Sequence, residues 1–255
     1  MNYQAPLQHL KDRVILITGA GQGIGRAAAL AFAAQGATTI LIGRKVAKLE
    51  TLYDEIEAEG YPQPAIFPLD LAKAGEEEFK AMAEGISQQI GRLDGILHNA
   101  AHFDNLSPLE LQTAKQFNSM LQVNLVAPFL LTKACLPLLK RSPDASVVFT
   151  STTAAHHPAA FWGTHAVSKS AAETMAKIWA EELGTFPHLR FNTVIPGAVQ
   201  SPQRRKSHPG EMPQQLPGAE AIMPLYLYLM GHDSAGVSGE VFEALKPASE
   251  AVDNL

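Results

Sequence analysis

The stretch 13–36, RVILITGAGQGIGRAAALAFAAQG, limits the possible folds more than any other part of the chain. A short apolar, β-branched run ends in closely spaced glycines. These open onto small and apolar residues at helical spacing that close at Gly36, where a helix C-cap belongs. A strand, a tight turn and a helix in this order make most of a parallel β-α-β unit of about 30 residues. Within TGAGQGIG, Gly19 allows the turn, Gly23 lets the backbone approach a phosphate and Gly25 permits close packing of helix on strand. With Thr18, Gln22 and Ile24 they form a loop whose N–H groups and helix dipole suit the pyrophosphate of a dinucleotide.

The alternation continues along the chain. Strands are predicted at 13–18, 37–43, 65–70, 93–99, 146–151, 190–195 and 239–245, with amphipathic stretches between them. This pattern predicts an α/β, Rossmann-like doubly wound sheet of seven parallel strands with helices on both faces, in a single domain over 1–255. In SPLE, Ser107 as N-cap, Pro108 at the first helical position and Glu110 in the capping box predict a helix start. The segment 200–218, QSPQRRKSHPGEMPQQLPG, reads as a substrate-loop insertion. Its Arg204, Arg205 and Lys206 read first as a solvated face, with a phosphate or an acidic carrier protein as the alternative partner.

Twenty Lys and Arg against 25 Asp and Glu give a net charge of −5, so no overall basic field recruits nucleic acid or acidic lipid. Any anion must be held locally. Cys135 is the only cysteine, which excludes an intramolecular disulfide and reads as a small buried hydrophobe. The N-terminal residues lack a signal-like apolar run, and the longest uncharged apolar segments read as well short of the ~20 residues that span a bilayer. A cytoplasmic protein is expected. The end of the second strand, LIGRK, selects the cofactor: Gly43 stands where an acid would hold a free ribose hydroxyl, and Arg44, beside Lys45, offers a forked donor for a 2′-phosphate. The expectation is NADP(H) rather than NAD(H).

Over residues 10–245 the sequence resembles the short-chain dehydrogenase/reductase family, and within it the YciK-like bacterial oxidoreductases of undefined substrate. TGAGQGIG resembles the family's cofactor turn. Asp70 and Leu71 resemble its adenine-side pair, and HNAA, with Asn99, Ala100 and Ala101, its NNAG. Pro196 and Gly197 followed by Ser201 resemble the segment over the nicotinamide. The resemblance implies strand order 3-2-1-4-5-6-7, hydride transfer between nicotinamide and a carbonyl or alcohol, and a homodimer or homotetramer built on the helices after strands 4 and 5.

The resemblance also supplies a catalytic set. Asn124 matches the family's asparagine, and Lys169 matches its lysine, which would hold the nicotinamide ribose. The catalytic hydroxyl falls on Thr152, with Ser151 one residue off and pointing the other way. The position of the family's tyrosine, in WGTHAVSKS, holds His165. An imidazole starts near pKa 6.5 and the Lys169 charge lowers it, so at neutral pH it is a poor proton donor. Three readings follow: His165 works as a weakened acid, another group or water supplies the proton, or the protein is an NADP-binding scaffold or sensor without turnover. His102, Phe103, Phe161 and Trp162 are expected at the substrate mouth. The adjacent rings of His156 and His157 diverge, so no metal is expected there.

Overall fold

The computed structural model describes residues 3–245. In chain order the regular elements are β1 (Val14–Thr18), α1 (Gly23–Ala34), β2 (Thr38–Gly43), α2 (Val46–Ala58), β3 (Ala65–Pro68), α3 (Glu76–Gln89), β4 (Gly95–His98), α4 (Ala114–Leu121), α5 (Ala127–Arg141), β5 (Ala145–Thr150), α6 (Gly163–Glu182), β6 (Leu189–Ile195), α7 (Pro202–Ser207), α8 (Met223–Met230) and β7 (Val241–Glu243). The strands form one sheet in the order β3-β2-β1-β4-β5-β6-β7, and each neighbouring pair is parallel.

The core explains why the strands read as unbroken apolar runs. Ile15 and Ile17 of β1 face a cluster with Phe32, Leu41 and Tyr226, under α1 and α8. Val14 and Leu16 face the opposite cluster, with Phe79, Ile96 and Leu131, under α3 and α5. Successive side chains of a strand point to opposite faces, so a sheet covered on both sides needs apolar residues at every position. Each such fully buried side chain contributes about 1.5–3 kcal/mol.

Several boundaries move. β3 ends at Pro68, two residues before the predicted end, and β7 spans only Val241–Glu243. The cap predicted at Ser107 is absent: Pro108 is extended (ψ 140°) and precedes a short 3₁₀ turn, Leu109–Leu111. The working capping box is one turn later, where Thr113 accepts from the Gln116 N–H and the Gln116 side chain accepts from the Thr113 N–H. The insertion at 200–218 holds α7 and a 3₁₀ turn at Pro213–Gln215.

α4, a π turn at Gln122–Val126 and α5 join into one 28-residue helix, Ala114–Arg141, that is long and apolar enough to cross a membrane by length and composition. Unlike the uncharged segments considered from sequence, it carries Lys115, Lys133, Lys140 and Arg141. Leu131, Cys135, Leu138 and Leu139 of this helix are buried in the core beside the sheet.

Candidate active site

A cleft of about 790 Å³ runs along the carboxyl ends of the strands, and that volume lies in the range of ligand sites. Its floor starts at the glycine loop. Gly19 (φ 70°) and Gly23 (φ 57°) adopt the left-handed backbone that favours glycine. A Cβ on Gly25 would meet the Gly19 carbonyl and lie 2.6 Å from the Asn99 amide nitrogen, so only glycine lets α1 pack this closely on the strand ends. No side chain caps α1 at Gln22, which leaves the helix N-terminus free for a ligand.

Gly19, Gln22, Gly23, Ile24, Arg44, Asp70, Leu71, Asn99, Ala100, Lys169, Pro196, Gly197 and Ser201 all line the cleft. Thr18 and Gly25 do not. Thr18 is buried, and its hydroxyl accepts from the N–H groups of Asn99 (3.0 Å) and Ala100 (3.1 Å), tying the end of β1 to the segment after β4. Lys48, Gln203 and His208 line the cleft without having been expected. Lys48 donates to the Gln22 side chain at 2.6 Å; its position four residues after Arg44, on the first turn of α2, was the available signal. The charge of the wall opposes that of the chain. Arg44, Lys45, Lys48, Lys169, Arg204 and Lys206 face a single carboxylate, Asp70, in a protein of net charge −5.

Arg204, Arg205 and Lys206 are not one solvated face. Arg204 is ion-paired with Glu211 inside the loop, and Ser201 caps α7 by accepting from the Arg204 N–H. His156 Nε2 lies 2.6 Å from a carboxylate oxygen of Glu173.

The catalytic candidates divide into three groups. Lys169 sits on the cleft wall, 5% exposed, and its Nζ donates to the Thr150 carbonyl at 2.7 Å. Burial lowers its pKa to about 8, against the opposing pull of the Glu173 carboxylate. Asn124 lies in the π turn, a feature common at functional sites. It does not line the cleft. Its Oδ1 accepts from the His102 N–H (2.7 Å), and its Nδ2 donates to the His102 carbonyl (3.0 Å) and to the Ser168 hydroxyl (3.0 Å). Asn124 thus braces the cleft segment after β4 against α6. Thr152 and Ser151 both line the cleft, but the Ser151 hydroxyl is committed to Glu173.

His165 lies behind the wall. Its ring is 1% exposed, edge-on to Phe103 (centroids 5.2 Å apart) and tilted against Trp162 (5.9 Å). The cleft-lining Gln203 lies in front of it, with the amide nitrogen 3.2 Å from Nε2. Burial first, and then the Lys169 ammonium, push its pKa down to about 3, further than the lysine alone would. Of the residues expected at the mouth, His102 and Trp162 line the cleft. Phe103 is buried in the layer behind, and Phe161, 54% exposed, lines a separate apolar groove with Leu109 and Val167.

A second buried histidine, His98, is also held neutral, its pKa lowered to about 3 by burial and by Lys169. The unfolded chain protonates histidines near pH 6.5 and the folded protein does not until about pH 3, so stability is complete above 6.5 and falls as the pH drops through this window. Thermal unfolding between pH 7 and pH 5 is expected to show a loss of about 2 kcal/mol per histidine. His165→Phe should flatten the dependence by one such share; an unchanged slope would refute the neutral assignment.

The family model described as short chain dehydrogenase matches residues 13–211. The chain is a short-chain dehydrogenase. It is 42% identical over 244 residues to the uncharacterized oxidoreductase YciK of Escherichia coli K12, covering 96% of each chain. A solved short-chain dehydrogenase of Escherichia coli CFT073, complexed with NADPH, superimposes with a TM-score of 0.91 at 42% identity, covering 94% of this chain and 100% of that one. A Shigella flexneri short-chain dehydrogenase complexed with NADP matches with a TM-score of 0.91 at 41% identity, over 94% and 99% of the two chains. As a short-chain dehydrogenase of the YciK-like kind, the protein is an oxidoreductase that uses a nicotinamide cofactor and a small-molecule substrate.

Proposed function

We propose that the protein is an NADP(H)-dependent oxidoreductase acting on a carbonyl or alcohol, with Lys169 rather than His165 delivering the proton. The observation that carries this reading is the inversion at the wall: the lysine stands in the cleft with a pKa of about 8, and the histidine stands behind it with a pKa of about 3. A general acid works best when its pKa lies near the working pH.

NADPH would supply the hydride to the carbonyl carbon. The glycine loop and the open end of α1 fit its pyrophosphate, and the exposed Arg44, Lys45 and Lys48 fit a 2′-phosphate. Thr152 offers a hydroxyl to the carbonyl oxygen, and Lys169 gives its proton to the oxygen as negative charge develops there. In the reverse direction neutral Lys169 accepts the proton from the alcohol. Asn124 positions the wall through His102. Val126, Phe129, Val167 and Ile178, all exposed on the helices after β4 and β5, support a homodimer or homotetramer.

The test is NADPH consumption with a panel of aldehydes, ketones and quinones, alongside binding of both cofactors. Turnover with NADPH supports the reading, and binding without any turnover favours the scaffold or sensor. Arg44→Ala should lower the preference for NADPH over NADH at least tenfold, about 1.4 kcal/mol; an unchanged ratio would refute the 2′-phosphate assignment.

A further inference from the structure

Glu173 is a buried carboxylate that the reaction as described above does not use. It lies four residues after Lys169 on α6, and so on the same helix face. Two neighbouring segments and its own helix supply its surroundings. Ser151, just past β5, donates its hydroxyl to Oε1, and His156, which follows the 3₁₀ turn at Thr153–Ala155, places Nε2 2.6 Å from Oε2. On its own helix Lys169 and Lys177 flank it four residues to either side, and the Glu173 charge opposes the lowering of the Lys169 pKa. The exposures form a gradient from outside to inside: the His156 side chain is 36% exposed and that of Glu173 is 8% exposed.

A small internal cavity of about 10 Å³ lies behind the cleft wall, lined among others by Lys169, Glu173, Ser151, Asn124 and His98. That is about the space one water molecule needs, and the lining is polar enough to hold it. His98 Nδ1 is buried without a hydrogen-bonding partner, a group that such a water would satisfy.

We propose that Glu173 and His156 form a rear proton path that reloads Lys169 while cofactor and substrate fill the cleft; the proposal rests on the reading of Lys169 as the acid. After Lys169 has given its proton to the product oxygen, its Nζ holds a free electron pair. Protonated His156 passes the Nε2 proton to the Glu173 carboxylate and becomes neutral. The Glu173 carboxyl gives a proton to the cavity water as that water gives one to Lys169 Nζ, which restores carboxylate, water and ammonium. His156 takes the replacement proton from solvent. In alcohol oxidation every transfer runs backwards. Glu173 and His156 act through Lys169 and do not touch substrate.

The test reads the path without requiring turnover. Protein carrying ¹⁵N-labelled lysine is saturated with NADP⁺, and the exchange of Lys169 Nζ protons with water is followed by NMR, the signal being assigned by its loss in Lys169→Met. In weak buffer, His156→Ala and Glu173→Gln should each slow exchange at least tenfold. Added imidazole should restore the rate in His156→Ala, because it replaces the missing exposed base. His156 lies at the surface, so its variant keeps the measurement available if Glu173→Gln does not fold. A His156→Ala protein that exchanges like the parent, or one whose slowed exchange imidazole does not restore, overturns the proposal. Absence of NADPH consumption would count against the oxidoreductase reading instead, since this exchange is measured without it.

Discussion

Lys169→Met is expected to lower kcat at least a thousandfold, about 4 kcal/mol of barrier, with His165→Phe within threefold of the parent. Methionine keeps the unbranched apolar stem of lysine but ends without the ammonium, so the loss reports the chemistry as well as the contact with Thr150. The pH profile gives the sign. Carbonyl reduction needs the ammonium, so its rate should be level below about pH 8 and fall tenfold per unit above it; alcohol oxidation needs the amine and should rise through the same point. An acid at His165, with a pKa of about 3, would make reduction rise tenfold for each unit of acidification from pH 7. Steady-state rates from pH 5.5 to 9.5 in both variants separate the two. A His165→Phe enzyme as impaired as Lys169→Met would refute the assignment.

His165→Tyr is expected to raise kcat ten- to a hundredfold at pH 7, about 1.4–2.7 kcal/mol. The limiting feature of the native site is reach. The imidazole stops behind Gln203, whereas a phenol extends further along the same direction and would bring its hydroxyl beside the Lys169 ammonium. That charge favours the phenolate and brings the group toward working pH. The larger ring must displace Gln203 and press on Phe103 and Trp162, so a stability loss of about 1–3 kcal/mol accompanies the gain. Unchanged turnover in a folded variant would show that proton delivery does not limit the parent.

The parts of the molecule legible in the sequence are those governed by short-range pattern. The parallel sheet follows from apolar runs spaced by helices, because burial on both faces demands them. The tight loop after β1 follows from glycines at positions where a side chain has no room, as at Gly25. Lys169 lies four residues of helix from position 165, a spacing legible in the sequence, and it lines the cleft.

What escaped depends on distant neighbours. His165 is sealed by Phe103, from the segment after β4, and by Gln203, from α7, and neither lies within 37 residues of it in the chain. Ser107 and Thr113 both carry a capping pattern, and local sequence does not choose between them; the structure uses Thr113. Nothing in the local sequence sets Glu173 apart from other helix acids; folding brings Ser151 and His156 onto its two oxygens.

The π turn at Gln122–Val126 makes the aim of Asn124 depend on chain length as well as on residue identity. Such a bulge absorbs one additional residue in an otherwise continuous α-helix, with the helical faces on either side kept in step. A relative one residue shorter between 122 and 126 would keep the same rod on the same core while its asparagine turned away from the backbone of residue 102. Two chains could thus share every layer of this fold and differ, by a single deletion that leaves the core intact, in whether the segment after β4 is tied to the long helix.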